Sequence, residues 1–122
     1  MAVTDARELA KLAVEALEDR KAIDVKVIDI EKISTLADYF IIASGTNRSQ
    51  VQAMADNVEE VLERKAGARP KSVEGYQSAN WILLDYGDIV LHLFDQENRL
   101  FYDIERIWRD GTPTDLGKDG EA

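Results

Sequence analysis

Residues 80–94 read NWILLDYGDIVLHLF, two apolar runs divided by one turn signal at Tyr86-Gly87. Gly readily takes the positive φ that a two-residue hairpin loop needs, so the stretch predicts a β-hairpin with Tyr86 and Gly87 as its loop. That register sets Asp85 opposite Asp88, Leu84 opposite Ile89, Leu83 opposite Val90, Ile82 opposite Leu91 and Trp81 opposite His92. Successive strand side chains alternate between faces. Ile82, Leu84, Ile89, Leu91 and Leu93 therefore share one face, which is all core. Trp81, Leu83, Asp85, Asp88, Val90 and His92 share the other, an amphipathic patch ending in two acids beside the turn. A three-residue loop would mix the faces, so the pattern favours the shorter one, with Tyr86 at a strained loop position. Like charges directly across a ladder repel. The facing Asp pair thus points to a cation nearby, carried by a basic partner.

The rest of the chain supplies what this hairpin packs against. Residues 4–20 space Leu9, Leu12, Ala13, Ala16 and Leu17 helically, with Thr4 as N-cap. "DVKVIDI" (24–30) and "ADYFIIASG" (37–45) read as strands, the second nearly continuous in apolar residues and so central. Residues 47–66 put Val51, Met54, Ala55, Val58, Val61 and Leu62 on one stripe, and Gly67 stops that helix. Pro70 and Gly75 leave room for only a short strand and a turn between residues 68 and 79. Leu100, Phe101, Ile104, Ile107 and Trp108 predict a last helix over residues 96–109. The order α β β α β β β α gives a single α/β layer domain over residues 1–110, a mixed sheet flanked by helices. Residues 111–122 read as a flexible acidic tail.

Composition narrows the function. A chain of 122 residues, 45% of them hydrophobic, suits one domain with a real core. Cys is absent, which removes disulfides, thiolate zinc sites and cysteine nucleophiles. No apolar run approaches the roughly 20 residues that span a bilayer, and the first residues lack a signal-peptide pattern, so a soluble cytoplasmic protein is expected. Fifteen Lys and Arg against 24 Asp and Glu give a net charge of −9. Such a field repels nucleic-acid backbones and attracts basic protein surfaces.

Catalytic constellations are weak. The "SGTN" turn at residues 44–47 joins a strand to a helix N-terminus, where free N–H groups hold anions in some folds. A nucleotide fingerprint needs more glycines or a lysine at fixed spacing. Asp29 and Glu31 are the only strand-like candidates for the paired acids of metal-assisted phosphoryl transfer, but they precede the 44–47 turn, and no acidic pair follows that turn on the next strand. His92 is the only histidine, which removes a multi-histidine metal cluster, and it reads better as a packed, hydrogen-bonded ring than as a catalyst. Trp81 has two readings of equal weight, a core residue or an exposed binding anchor.

The strings "ADYFIIASGTNRSQVQAMADNVEEVL" and "VEGYQSANWILLDYGDIVLHLFDQENRLFYDIERIW", in that order, closely resemble the ribosomal silencing factor (Iojap) family across residues 4–109. The resemblance implies a nucleotidyltransferase-like topology without the catalytic acids, no enzyme activity and no cofactor or metal. It further implies binding to a basic protein on the intersubunit face of the large ribosomal subunit, a steric block to small-subunit joining, and translation repression. Members are often homodimers, and neither membrane nor direct DNA binding is implied. Carried over by position, the contact strip is Trp81, Leu83, Leu84, Asp85, Tyr86, Gly87 and Asp88, with Glu74, Asp38, Tyr39 and His92 as neighbours. The rival reading is a small nucleotide-binding or nucleotidyltransferase-like enzyme using the 44–47 turn.

Overall fold

The computed structural model describes residues 5–31 and 37–96 and the short strand Thr112–Thr114. In chain order the elements are α1 (Ala6–Asp19), β1 (Ile23–Asp29), β2 (Tyr39–Gly45), α2 (Arg48–Ala66), β3 (Ser72–Glu74), β4 (Trp81–Asp85), β5 (Ile89–Asp95) and β6 (Thr112–Thr114). The strands form one six-stranded mixed sheet in the order β3-β4-β5-β2-β1-β6. Among the described strands only β2 and β5 run parallel; every other neighbouring pair is antiparallel.

Local signals set the boundaries. Asp5 caps α1 by accepting the Arg7 N–H at 2.8 Å; the predicted cap, Thr4, lies outside the described residues. At the start of α2, Asn47 Oδ1 accepts the Gln50 N–H at 2.8 Å, and Gln50 Oε1 accepts the Thr46 N–H at 2.7 Å. This reciprocal arrangement satisfies donors that the first helical turn leaves open. Gly67 ends the helix at φ 67, as its position predicts.

Both described helices lie on the same face of the sheet. Leu9, Ala13 and Leu17 of α1 and Val51, Met54, Val58 and Leu62 of α2 merge with Ile41, Ile82, Leu84, Ile89, Leu91 and Leu93 into one core. The helices are also joined by polar bonds. Near the end of α1 the Arg20 N–H turns to the Leu17 carbonyl, and the Ala16 carbonyl accepts instead from buried Asn57 Nδ2 at 2.8 Å. Gln50 Nε2 donates to the Arg20 and Lys21 carbonyls at 2.9 and 3.0 Å. Side chains of α2 thus supply donors to the terminal carbonyls of α1. The opposite face carries a smaller cluster of Ile28, Ile30, Ala37, Ile42, Val90 and Phe94.

Strand β2 is central, between β5 and β1, and its Ile41, Ile42 and Ala43 are fully buried, which is why its apolar run is continuous. The predicted helix over residues 96–109 lies, apart from Gln96, outside the described residues. The tail is not featureless, because Thr112–Thr114 pairs with β1 as an edge strand, with Pro113 opposite Ile28. Proline lacks an N–H to donate to a ladder and is accommodated at such an edge.

The α1–α2 bonds lead to a stability prediction. Asn57→Ala removes a buried donor and leaves the Ala16 carbonyl unmet, so unfolding free energy in urea falls by about 1–3 kcal/mol. An unchanged value would show that the helix pair does not depend on this bond.

Candidate functional site

The hairpin forms, but in a register two residues away from the predicted one. Trp81 pairs with Phe94, Ile82 with Leu93, Leu83 with His92, Leu84 with Leu91 and Asp85 with Val90. The Tyr86 N–H donates to the Ile89 carbonyl at 2.9 Å, so the loop residues are Gly87 and Asp88. Gly87, at φ 89, takes the first loop position, where a type II′ turn requires positive φ, and Tyr86 is spared one. A shift by two keeps each side chain on its face and changes only its partner. Both predicted faces therefore stand for the strand residues, while Asp88 moves from the second face into the loop. Asp85 and Asp88 do not oppose each other, and the cation inferred from their repulsion goes with that pairing. Asp85 instead accepts the Gly87 N–H at 2.8 Å, while the exposed Asp88 accepts the Asp38 and Tyr39 N–H groups at its carbonyl, at 2.8 and 3.3 Å.

The sheet registers lay out the second face in rows. Glu74 pairs with Leu83, Leu83 with His92 and His92 with Ile42. One step toward the turn, Ser72, Asp85, Val90 and Phe40 form the next row; one step away lie Trp81, Phe94 and Ser44. Five of the predicted site residues are thus neighbours here: Trp81, Leu83, Asp85, Glu74 and His92. The Trp81 and Phe94 rings stack at 5.6 Å, Phe40 lies 4.7 Å from His92, and Trp81 Nε1 donates to His92 Nδ1 at 3.2 Å. Trp81 is therefore a diagonal neighbour of His92 and not its direct partner. The indole is half-buried, an intermediate case between the two sequence readings.

The remaining candidates divide. Leu84 is 0% exposed and points into the helix-side core, so it supports the strip from behind. Tyr86 is also buried on that side, with no partner for its hydroxyl among the described residues, and burial, reinforced by the Glu59 and Glu63 charges, pushes its pKa up. Half-buried Tyr39 packs against the same core. Gly87, Asp88 and Asp38 gather at the hairpin tip. Phe40 and Phe94 escaped the sequence reading as members of the patch. Phe94 shares parity with His92 and was legible from alternation, whereas Phe40 arrives through the long-range parallel pairing with β5.

The backbone entering Trp81 is tightly held. Gly75 sits at φ 80, and a Cβ there would collide with the Trp81 carbonyl oxygen. Ala79, buried at φ 57, donates its N–H to the Gly75 carbonyl at 2.9 Å. A non-Gly residue at positive φ is strained, so this turn is over-determined by its surroundings. His92 is 5% exposed, and burial pushes its pKa down to about 4. It is neutral at pH 7. With Nδ1 accepting, its proton sits on Nε2, which has no hydrogen-bond partner among the described residues. At the 44–47 turn, the side chains of Thr46, Asn47 and Gln50 already bond one another and the helix start. Asp29 Oδ1 accepts the Glu31 N–H at 3.0 Å.

The sequence model of the family described as "Ribosomal silencing factor during starvation" matches residues 3–122. The chain belongs to this family. The match takes in the tail, which the string-level resemblance had left outside. A silencing factor from Halalkalibacterium halodurans is 39% identical over 110 residues, covering 90% of this chain and 93% of the relative. The crystal structure of a protein from Chromobacterium violaceum superposes with a TM-score of 0.82 at 35% identity, covering 97% of this chain and 92% of that one. The mouse "Mitochondrial assembly of ribosomal large subunit protein 1" is 30% identical over 99 residues, 80% of this chain and 43% of the mouse protein. Among the described residues no helix is long and apolar enough to cross a membrane.

Burial of His92 gives stability a defined pH dependence. Its folded pKa, about 4, lies below the ordinary 6.5, so the unfolded chain takes up the proton first. Stability from this group is complete above pH 6.5 and falls as pH drops through that window, by about 3 kcal/mol at pH 4. Urea unfolding of wild type and His92→Phe between pH 7 and pH 4 checks this. The wild type should lose that much more than the variant; parallel losses would contradict the buried neutral ring.

Proposed function

We propose that this protein is a non-enzymatic, cytoplasmic translation repressor. It docks a basic protein on the intersubunit face of the large ribosomal subunit and so blocks small-subunit joining. The observation that carries the reading is the second face of the sheet across β3, β4, β5 and β2. There half-buried Trp81, Leu83 and Phe40 form an apolar strip, and Glu74, Asp85 and Asp88 rim it, on a chain of net charge −9. An aromatic anchor inside an acidic rim suits a basic protein surface: the apolar centre supplies affinity, the charges steering and register. The mouse relative's name, with its large ribosomal subunit, supports the choice of subunit.

The residues proposed to touch the partner are Trp81, Leu83, Glu74, Asp85, Gly87 and Asp88, with Asp38 at the tip. Leu84, Tyr86, Tyr39 and His92 stand behind them. In the free state we propose a homodimer, as the resemblance implies. The rival nucleotide enzyme is not favoured, because the helix start it would use is filled by the chain's own side chains.

Pelleting with purified subunits tests the proposal. Binding should be selective for the large subunit and should weaken with salt, since exposed charges are screened beyond roughly 8 Å at physiological ionic strength. Trp81→Ala should cost about 2 kcal/mol or more of binding, and Glu74→Lys should reduce binding and the block to subunit joining together. Equal pelleting with both subunits, or no response to salt, would overturn the reading.

A further inference from the structure

We propose that His92 is a positioning residue: it fixes the Trp81 indole in the orientation that a docking partner meets and touches no partner itself. The inference rests on the docking reading above and assigns a mechanism to its central side chain. His92 is 5% exposed, so its own atoms are not presented at the surface. Its effect must pass through a neighbour. The neighbour is Trp81, half-buried and two strand positions from the residue that directly faces His92, Leu83. An indole paired with Phe94 has to lean diagonally to reach that imidazole, and the 3.2 Å bond from Nε1 to Nδ1 holds it there. Phe94 stacks on the indole at 5.6 Å, and Phe40 closes on the imidazole at 4.7 Å. The imidazole is thus fixed by its own packing before it fixes the indole.

Stability alone does not account for a histidine here. The bond to Trp81 sets the tautomer with its proton on Nε2, and that buried donor has no partner among the described residues. Burying an unsatisfied donor is unfavourable. A phenylalanine would fill a similar volume among Phe40, Ile42 and Leu83 without that penalty. What only the imidazole provides is an acceptor at Nδ1, aimed at the indole N–H. The backbone repeats the pattern, since Gly75 and the positive-φ Ala79 hold the main chain at Trp81. Local departures from good packing and backbone rules thus converge on one side chain, as they do where geometry serves function.

The test separates position from fold and from contact. In free ¹⁵N-labelled protein, a coupling across the N–H···N bond should link Trp81 Nε1 to His92 Nδ1, with Trp81→Phe assigning the indole signal against that of Trp108. Its absence would overturn the proposal. His92→Phe and His92→Leu, which lack the acceptor, should bind the large subunit about tenfold more weakly, while melting no lower than wild type at pH 7. His92→Asn, whose amide oxygen stands near the Nδ1 position, should recover most of that affinity. In a Trp81→Phe background the loss of the His92 acceptor should add nothing. If it weakens binding there as much as in wild type, His92 acts on its own and the positioning role is wrong. If Trp81→Phe binds normally, the docking reading itself fails and takes this role with it. If Trp81→Phe binds weakly but His92→Leu binds like wild type, docking stands and only the positioning role is lost. Should His92→Phe not fold, the Leu and Asn pair decides by the same criterion.

Discussion

The parallel ladder between β2 and β5 joins two antiparallel units, β6-β1-β2 and β5-β4-β3, into one sheet. Without it each unit would expose an apolar edge strand. Parallel neighbours need a long crossover, and here α2, β3 and β4 all lie between the two strands in sequence. The ladder places Phe40 beside Val90 and Ile42 beside His92, so the second face is completed by residues some fifty positions apart in the chain. Both strands are buried on both sides, and their continuous apolar runs follow from that.

The two faces of this sheet do different work. On one, α1 and α2 close a large apolar core, with Asn57 and Gln50 joining the end of one helix to the body of the other. On the other, packing is organised around rings: Phe94 under Trp81, Phe40 against His92, and a polar bond between indole and imidazole. Rigidity on the helix side allows the second face to hold a half-buried tryptophan in one place. A preorganised anchor of that kind loses less side-chain freedom on binding.

The sequence made much of this legible, for identifiable reasons. Period-two alternation assigns the hairpin faces independently of register, because a shift by two leaves parity unchanged. For the same reason alternation cannot distinguish a Tyr86-Gly87 loop from a Gly87-Asp88 loop; the choice falls to Gly87, which takes the positive φ at the first loop position. Leu84 and Tyr86 were drawn into the contact strip by adjacency in the chain, yet both face the helices. Phe40 was missed because the β2–β5 pairing that brings it to His92 is not encoded in any local pattern. The edge strand Thr112–Thr114 was missed because a Thr-Pro-Thr stretch carries no apolar alternation of its own.

Hydroxyl-radical labelling of the protein, free and bound to purified large subunit, asks directly which face docks. Trp81 and Leu83 should lose labelling on binding, while half-exposed Leu12 on α1 keeps it. Protection of Leu12 with Trp81 unchanged would place the interface on the helices and contradict the assignment of the second sheet face.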